Sequence, residues 1–210
     1  MQRSFDIFIR AFTHRSYSRE YGGANNEHLE FLGDSVLQLL ITELLIERFP
    51  SLTEGQLSQM RHRLVNNELL GACARSLQFG SMLRLGAGER RSNGADKNKI
   101  LANTFEACLG ALYLHDGLDS VRRVIYHHFI PHLRQAQRKT EKQILHEWSQ
   151  KRYHMPPRYL EIKREGDAHN LIFTVAVWIN DQNIASGEGA SFKKATIQAA
   201  KTAVLILDIS

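Results

Sequence analysis

The spacing of apolar residues changes once along the chain, and this change constrains the fold more than any other feature. Apolar side chains recur at helical spacing from residue 7 to 133. After a polar, basic stretch, short segments of alternating apolar and polar residues follow. The sequence therefore predicts a helical domain over residues 1–134, a linker over 135–141 and a small α+β domain over 142–210.

Long helices are predicted in the first part, and a three-stranded sheet between two helices in the second. The first-part helices are predicted at 36–49, 57–77 and 100–117, with an exposed loop over 88–99. The second part reads α-β-β-β-α, with elements near 143–153, 158–165, 170–180, 183–188 and 191–207. Residues 181–183 are predicted to form the hairpin turn, and Ser191 to cap the last helix.

Composition is that of an ordinary globular chain, with 43% hydrophobic and 23% charged residues. No apolar run approaches the ~18 residues needed to span a bilayer, and the start lacks the features of a secretory signal. The two cysteines, Cys73 and Cys108, are expected to be reduced thiols of a cytoplasmic protein with no membrane partner. The net charge of +5 is only a weak indication of polyanionic partners.

Acidic residues interrupt two otherwise apolar helices. In NNEHLEFLGDSVL, Glu27, Glu30 and Asp34 lie on one helical stripe, although like charges at such spacings repel by a few tenths of a kcal/mol per pair. In ILANTFEACLGAL, Asn103 and Glu106 are three residues apart. One interpretation is a shared buried site neutralised by Mg²⁺, because clustered carboxylates are otherwise costly to bury. The other is that these are ordinary exposed faces of amphipathic helices.

The amino-acid sequences of these segments resemble those of a known family. NNEHLEFLGDSVL looks like the signature of the ribonuclease III family of double-stranded-RNA endonucleases, and AFTHRSYS, FPSLTEGQLSQMRHRLVNNELL and ILANTFEACLGALYLHDG occur in the family's order. The C-terminal unit is similar to a double-stranded-RNA-binding domain. The resemblance covers nearly the whole chain. It implies an α-helical endonuclease domain followed by a small α+β double-stranded-RNA-binding domain.

Site residues follow from the resemblance position by position. It implies that Glu30 and Asp34 ligate a catalytic metal. Two more ligands come from an ADxxEA-type motif, which reads ANTFEA here, so that Glu106 matches and Asn103 replaces an aspartate. Asp34 and Glu106 are expected to be catalytic.

Three further residues fall at positions with implied roles. Glu27 and Glu54 stand where the family keeps acidic residues near its RNA-cleaving valley, and they are expected to support the ligands or face the substrate. Phe31 is expected to plug into the partner subunit of a symmetric homodimer. Simple packing of Phe31 in its own core is the alternative.

The implied activity is Mg²⁺-dependent hydrolysis of double-stranded RNA, with Mn²⁺ able to substitute. The products would carry 5′-phosphate and 3′-hydroxyl ends with short 3′ overhangs, in the processing of rRNA, mRNA and other structured precursors. The alternative is a catalytically impaired double-stranded-RNA-binding protein on the same scaffold, because of Asn103.

The C-terminal domain is expected to read the A-form duplex through two minor grooves and the phosphates between them. Its predicted contacts are His146, Glu147, His169, Ser191, Lys193 and Lys194. His146 is alternatively an ordinary surface histidine, and the basic start of the last helix alternatively a solvated face. Trp148 and Phe173 are expected to lie in the core, since a duplex hides the faces of its bases.

Overall fold

The computed structural model of the chain describes residues 2–167 and 170–209. Its contacts divide the chain into two compact units, Met1–Gln137 and Arg138–Ser210. The first is helical and the second combines helices with a three-stranded sheet, which confirms the predicted fold class. No helix in the described ranges is long and apolar enough to cross a membrane.

The helices of the first unit surround a central pair, α3 and α8. Apolar residues recur on the facing sides of these two helices and bury Leu37, Leu40 and Leu44 of α3 against Leu101 and Phe105 of α8. The helices are α1 (Gln2–Ala11), α2 (Arg15–Tyr21), α3 (Glu27–Arg48), α4 (Glu54–Leu64), α5 (Asn67–Ser76), α6 (Phe79–Met82), α7 (Ala87–Arg91), α8 (Asn98–Asp116), α9 (Leu118–Phe129) and α10 (Leu133–Gln137).

Two expectations about this unit were wrong. The helix predicted over 57–77 is broken, because Val65 leaves the helical conformation and the Asn66 side chain caps α5 by accepting the Leu69 N–H at 2.9 Å. The segment 88–99 is not a plain loop, since it contains the end of α7, a 3₁₀ turn at Gly94–Asp96 and the start of α8.

The second unit packs two helices on one face of an antiparallel sheet of order β1-β2-β3. Val177 of β2 pairs with Tyr159 and Ala185, and it packs against Ala199 and Ala203 on the helical side. The elements are α11 (Glu141–Tyr153), β1 (Arg158–Glu165), β2 (Ile172–Ile179), β3 (Gln182–Gly189) and α12 (Phe192–Ile206).

Turn and cap chemistry set the ends of these elements. Asn180 and Asp181 both have positive φ, at 47° and 60°, as the tight turn between two strands requires. The predicted turn over 181–183 was therefore placed too late, since Gln182 already belongs to β3. Ser191 caps α12 as predicted, with its Oγ accepting the Lys194 N–H at 3.2 Å.

The junction between the units is shorter than the linker predicted over 135–141. The helix α10 continues to Gln137 and buries Ala136 in the first unit, and the Thr140 side chain already caps α11. Only residues 138–140 lie between the two helices.

Candidate functional site

The helices α3 and α8 cross with their backbones in contact, and two glycines make this contact possible. A Cβ atom on Gly33 would lie 1.7 Å from the carbonyl oxygen of Glu106. A Cβ atom on Gly110 would lie 2.2 Å from the carbonyl oxygen of Leu29. Any side chain at either position would push the helices apart. The crossing therefore brings the polar residues of the two helices close together.

The polar residues at the crossing interact directly. The Asn103 side chain forms a hydrogen bond with the Glu30 carboxylate, which opposes the rise in the pKa of Glu30 that burial causes. Burial, and then the negative charges of Asp34 and Glu30, raise the pKa of Glu106 to about 8. Asp34 accepts a hydrogen bond from Gln38 Nε2 at 3.3 Å. The carboxylates of both helices thus share one electrostatic neighbourhood.

The chemistry of this donor set suits a hard divalent cation. A cation beside Glu106 would favour its charged form and relieve the repulsion from Asp34 and Glu30. Within residues 2–167 and 170–209, however, no group of three or more His, Cys, Asp and Glu side chains already surrounds a single ion position. The candidate metal-binding side chains thus lie in one region, but they do not surround a single ion position.

A cleft of about 440 Å³ opens beside this region, and it combines charges of both signs. Lys97 binds Glu89 at 2.8 Å, and Arg15 lies 3.6 Å from Glu27 across an exposed ion pair. Neither Asp34 nor Glu106 borders this cleft. Its lining residues are His14, Arg15, Asn26, Glu27, Glu30, Glu89, Lys97, Lys99, Ile100 and Asn103.

Two other predicted residues of the first unit do not join the polar cluster at the crossing. Glu54 begins α4, where its carboxylate accepts from Ser58 Oγ at 2.7 Å, and it lines the same cleft as Thr42 of α3. Thr42 is twelve residues from Glu30, or roughly 18 Å along α3, so this cleft lies away from the crossing. Phe31 is 78% exposed and does not pack in the core of its own chain.

The predicted RNA contacts of the second unit are mostly exposed. His146 and Glu147 lie on the surface of α11, where Glu147 forms an ion pair with Lys139 at 2.5 Å. Lys193 and Lys194 are exposed in the first turn of α12. Of the remaining predictions, His169 lies outside the described residues.

Trp148 and Phe173, which were expected in the core, are half-buried rather than enclosed. Trp148 packs against the core of the second unit. Phe173 lies under the guanidinium of Arg164, 4.7 Å from the ring centre. Neither ring is a fully exposed flat surface on which a base could stack.

Reading the sequence alone missed four residues that shape the site. Gly33 and Gly110 were not interpreted, although a glycine inside an apolar helix is itself a sign of close backbone approach. Lys99 was read as part of a loop, yet it borders the cleft, and its charge opposes the rise in the pKa of Glu30. Asn26 was not considered beyond its place in the motif, and it also lines the cleft.

Two family models match the chain, one for each unit. Residues 5–133 match the model described as Ribonuclease-III-like, and residues 141–207 match the double-stranded RNA binding motif. Ribonuclease 3 of Syntrophotalea carbinolica is 40% identical over 209 residues, covering 96% of this chain and 90% of that protein. Ribonuclease 3 of Thermobifida fusca is 42% identical over 203 residues, covering 94% and 84%.

Two solved structures are similar as well. The nuclease domain of ribonuclease III from Campylobacter jejuni is 36% identical with a TM-score of 0.56, covering 60% of this chain and 88% of that one. Dicer from Pichia stipitis is 26% identical with a TM-score of 0.51, covering 98% of this chain and 95% of that one.

Proposed function

The chain belongs to the ribonuclease III family, and from this premise we propose how it cuts its substrate. It is an endoribonuclease that acts on double-stranded RNA. The proposal is that cleavage depends on Mg²⁺, with Mn²⁺ able to substitute, and leaves 5′-phosphate and 3′-hydroxyl ends with short 3′ overhangs. Its proposed role is the processing of rRNA, mRNA and other structured RNA precursors in the cytoplasm.

The observation that carries the proposal is the backbone contact of α3 and α8, which brings the carboxylates of the two helices together. Burial and the charges of Asp34 and Glu30 raise the pKa of Glu106 to about 8, and a cation beside it would favour its charged form. The residues that would hold Mg²⁺ are Glu30, Asp34 and Glu106, through their carboxylates, and Asn103, through its amide oxygen. When bound, Mg²⁺ supplies an activated water and neutralises charge on the phosphodiester.

The chain's own residues prepare this site in three ways. The glycine crossing holds the two ligand-bearing helices at backbone contact, which supports a fixed separation of Asp34 and Glu106. Gln38 holds one oxygen of Asp34 by its hydrogen bond. Asn103 holds Glu30, but with its amide nitrogen, so only its carbonyl oxygen remains to meet a cation.

In the second unit, we assign RNA contact to the exposed faces of α11 and α12. His146 and Glu147 would meet a minor groove, and Lys193 and Lys194 would meet phosphates at the positive end of the α12 dipole. Ser191 Oγ accepts the Lys194 N–H and so caps α12, and its hydroxyl proton would remain to meet a phosphate. His169 stays a prediction for the second minor groove.

A homodimer completes the proposal, with each subunit cutting one strand. The exposed ring of Phe31 supports it, since a large apolar side chain with this much free surface gains from a partner. The nuclease domain of the C. jejuni ribonuclease III has a region involved in dimer formation.

The test compares cleavage of a long RNA duplex in Mg²⁺ and in EDTA, with Glu106→Gln as the altered site. Glu106→Gln should lower kcat by two orders of magnitude or more while duplex binding in Ca²⁺ is retained. The matched control, Glu68→Gln on the exposed first turn of α5, should cut normally. Equal cleavage in EDTA would rule out the metal-dependent reaction.

A second candidate function is a silent double-stranded-RNA-binding protein on the same scaffold. The observation that favours it is the Asn103 hydrogen bond to Glu30, which satisfies that carboxylate without a cation. A protein that binds duplex RNA but cuts none in Mg²⁺ or Mn²⁺ would establish this reading.

A further inference from the structure

The side chain of Asn26 is buried without a hydrogen-bond partner for its amide nitrogen. Asn26 is 2% exposed, and no group among the described residues accepts from its Nδ2. Buried amide donors are almost always satisfied, because leaving one unpaired is costly. Asn26 is also one of the residues that line the charged cleft beside Glu30. The donor is therefore unexplained by the contacts that the chain makes for itself.

Helix capping does not explain it either. Asn26 occupies the N-cap position of α3, where an asparagine side chain ordinarily accepts from the first turn. Here Asn26 makes no capping hydrogen bond, and the neighbouring Asn25 accepts the Glu27 N–H at 3.1 Å instead. The Asn26 backbone is held from both sides, since its N–H donates to Thr13 O at 2.9 Å and its carbonyl accepts from the Glu30 N–H at 2.8 Å. The backbone at Asn26 is thus held in place, and the amide nitrogen of its side chain is left without a partner among the described residues.

The surroundings of Asn26 indicate what kind of group would accept a hydrogen bond from its amide. Asn26 lines the same cleft as two residues with carboxylate acceptors, Glu27 and Glu30, although neither accepts from its Nδ2. Arg15, Lys97 and Lys99 line the same cleft, so charge alone does not exclude a phosphate, but a phosphate oxygen only accepts and cannot donate to a cleft carboxylate. A hydroxyl both accepts and donates, and it is uncharged. The cleft volume of about 440 Å³ is in the range of pockets that hold small groups.

We propose that Asn26 binds the 2′-hydroxyl of a ribose close to the cleaved phosphodiester. The Asn26 amide donates to the hydroxyl oxygen, and a cleft carboxylate accepts the hydroxyl proton. The 2′-hydroxyl is the group that distinguishes RNA from DNA at any one site. The nuclease unit thus recognises RNA for itself, independently of the RNA-binding unit. This inference rests on the proposed cleavage and names its positioning contact.

The experiment uses the full chain and a set of RNA duplexes, each with a single 2′-deoxy nucleotide at a different position around the cut. For the unaltered protein, one position should lower kcat/KM by about three- to tenfold, the size of one hydrogen bond. Asn26→Leu, which keeps the volume and removes the donor, should lower kcat/KM on all-RNA duplex by a similar factor. It should lose the response to the 2′-deoxy nucleotide at that position only.

The matched control is Asn67→Leu, on the exposed first residue of α5, which should keep the full response. Equal sensitivity of Asn26→Leu and the unaltered protein at every position would overturn the inference. If Asn26→Leu does not fold, Asn26→Asp, which keeps the shape and removes the donor, replaces it in the same series. Cleavage by the unaltered protein that is indifferent to every single 2′-deoxy position also refutes the contact.

Failure of the inference and failure of the proposed function are distinguishable. If the protein cuts duplex RNA in Mg²⁺ but shows no sensitive position, the function stands and the contact is wrong. If it cuts nothing, binding of the same series of 2′-deoxy duplexes is measured in EDTA. A position that weakens binding in the unaltered protein but not in Asn26→Leu then supports the contact, and its absence refutes it.

Discussion

At the scale of single residues, Asn103 gives the proposed site one negative charge fewer than the family motif would. Asn103 keeps the shape of the aspartate that the family motif carries, but it contributes no negative charge. Its hydrogen bond to Glu30 steadies a half-buried carboxylate that would otherwise take up a proton more readily. The cation affinity of the proposed site would therefore depend on the three remaining carboxylates, Glu30, Asp34 and Glu106.

Replacing Asn103 by Asp should lower the Mg²⁺ concentration for half-maximal cleavage by roughly tenfold, since hard cations prefer carboxylate to amide oxygen. Duplex affinity measured in Ca²⁺ should change little. Cleavage rates over a Mg²⁺ titration provide the measurement. Identical titrations of the two proteins would mean that residue 103 is not a ligand. Cleavage by the Asp protein alone would favour the silent binder.

Glu106 should make the metal-free protein less stable as the pH rises. In the unfolded chain its carboxyl ionises near the ordinary pKa of 4.5, whereas in the folded protein it holds the proton to about pH 8. Between these values the unfolded state binds fewer protons, so stability falls with rising pH, by about 1.4 kcal/mol per pKa unit of difference.

Urea unfolding in EDTA at pH 5 and pH 8 would measure this loss. Glu106→Gln, which cannot ionise, should lose less stability than the unaltered protein over the same interval, and Mg²⁺ should reduce the loss in the unaltered protein. Parallel pH profiles for the two proteins would show that Glu106 ionises normally.

At the scale of elements, the crossing of α3 and α8 is the feature on which the site depends. Ligand residues flank the glycines in the sequence, so the backbone contact and the polar cluster form together. In the second unit the corresponding feature is the start of α12, where a serine cap fixes the turn that carries Lys193 and Lys194.

Gly33→Ala should destabilise the protein by several kcal/mol, because its new methyl group would collide with the Glu106 carbonyl. Thermal and urea unfolding measure the change. Gly55→Ala in α4 is the matched control, since nothing lies within 4 Å of its added Cβ, and it should be neutral or stabilise the helix by about 0.5–1 kcal/mol. Equal stability of the two variants would contradict the backbone contact.

Replacing Lys193 and Lys194 by Ala should weaken binding to any duplex RNA, independently of sequence. The slope of log K against log salt should fall by about 2, because two phosphate contacts are lost. Filter binding across a salt series measures both effects, and cleavage at low salt should survive. Lys201→Ala, exposed two turns further along α12, serves as the control and should bind normally. Unchanged binding by the double variant would remove this surface from the interface.

At the scale of the whole molecule, the proposed cleavage site and the proposed RNA contacts lie in different compact units. The first contains the acidic crossing, the charged cleft and the exposed ring of Phe31. The second offers a basic helix start on a separately folded sheet. A dimer through the first unit would give two sites for the two strands of one duplex.

Phe31→Asp should convert the dimer into a monomer, because a carboxylate cannot be buried in an apolar interface without a partner. Sedimentation of the full chain at micromolar concentration measures this, with circular dichroism to check the helices. Leu205→Asp, at a site of similar exposure in the second unit, is the control and should remain dimeric. A monomeric unaltered protein would exclude the paired-site arrangement.

The sequence by itself determined the order and type of the elements and the identity of the acidic residues. The helical spacing of apolar residues located α3 and α8, and the alternation of apolar and polar residues located the three strands. The sequences of the motifs indicated the family. These features are local, since each depends on residues within a few turns of one another. The stretch that contains Glu27, Glu30 and Asp34 was interpreted as helical, and it forms the start of α3.

Only the tertiary structure decided which polar residues meet. The contact of Gly33 with the Glu106 backbone and the Asn103 bond to Glu30 join segments far apart in the chain. The unpaired amide of Asn26 likewise shows only in the folded structure, because it depends on what surrounds the side chain. The tertiary structure also separated Glu54 from the crossing, although both lie in segments that resemble the same family. Burial and through-space charge shift the pKa of Glu106, and neither can be read from spacing along a helix, because both depend on what the rest of the fold packs against it.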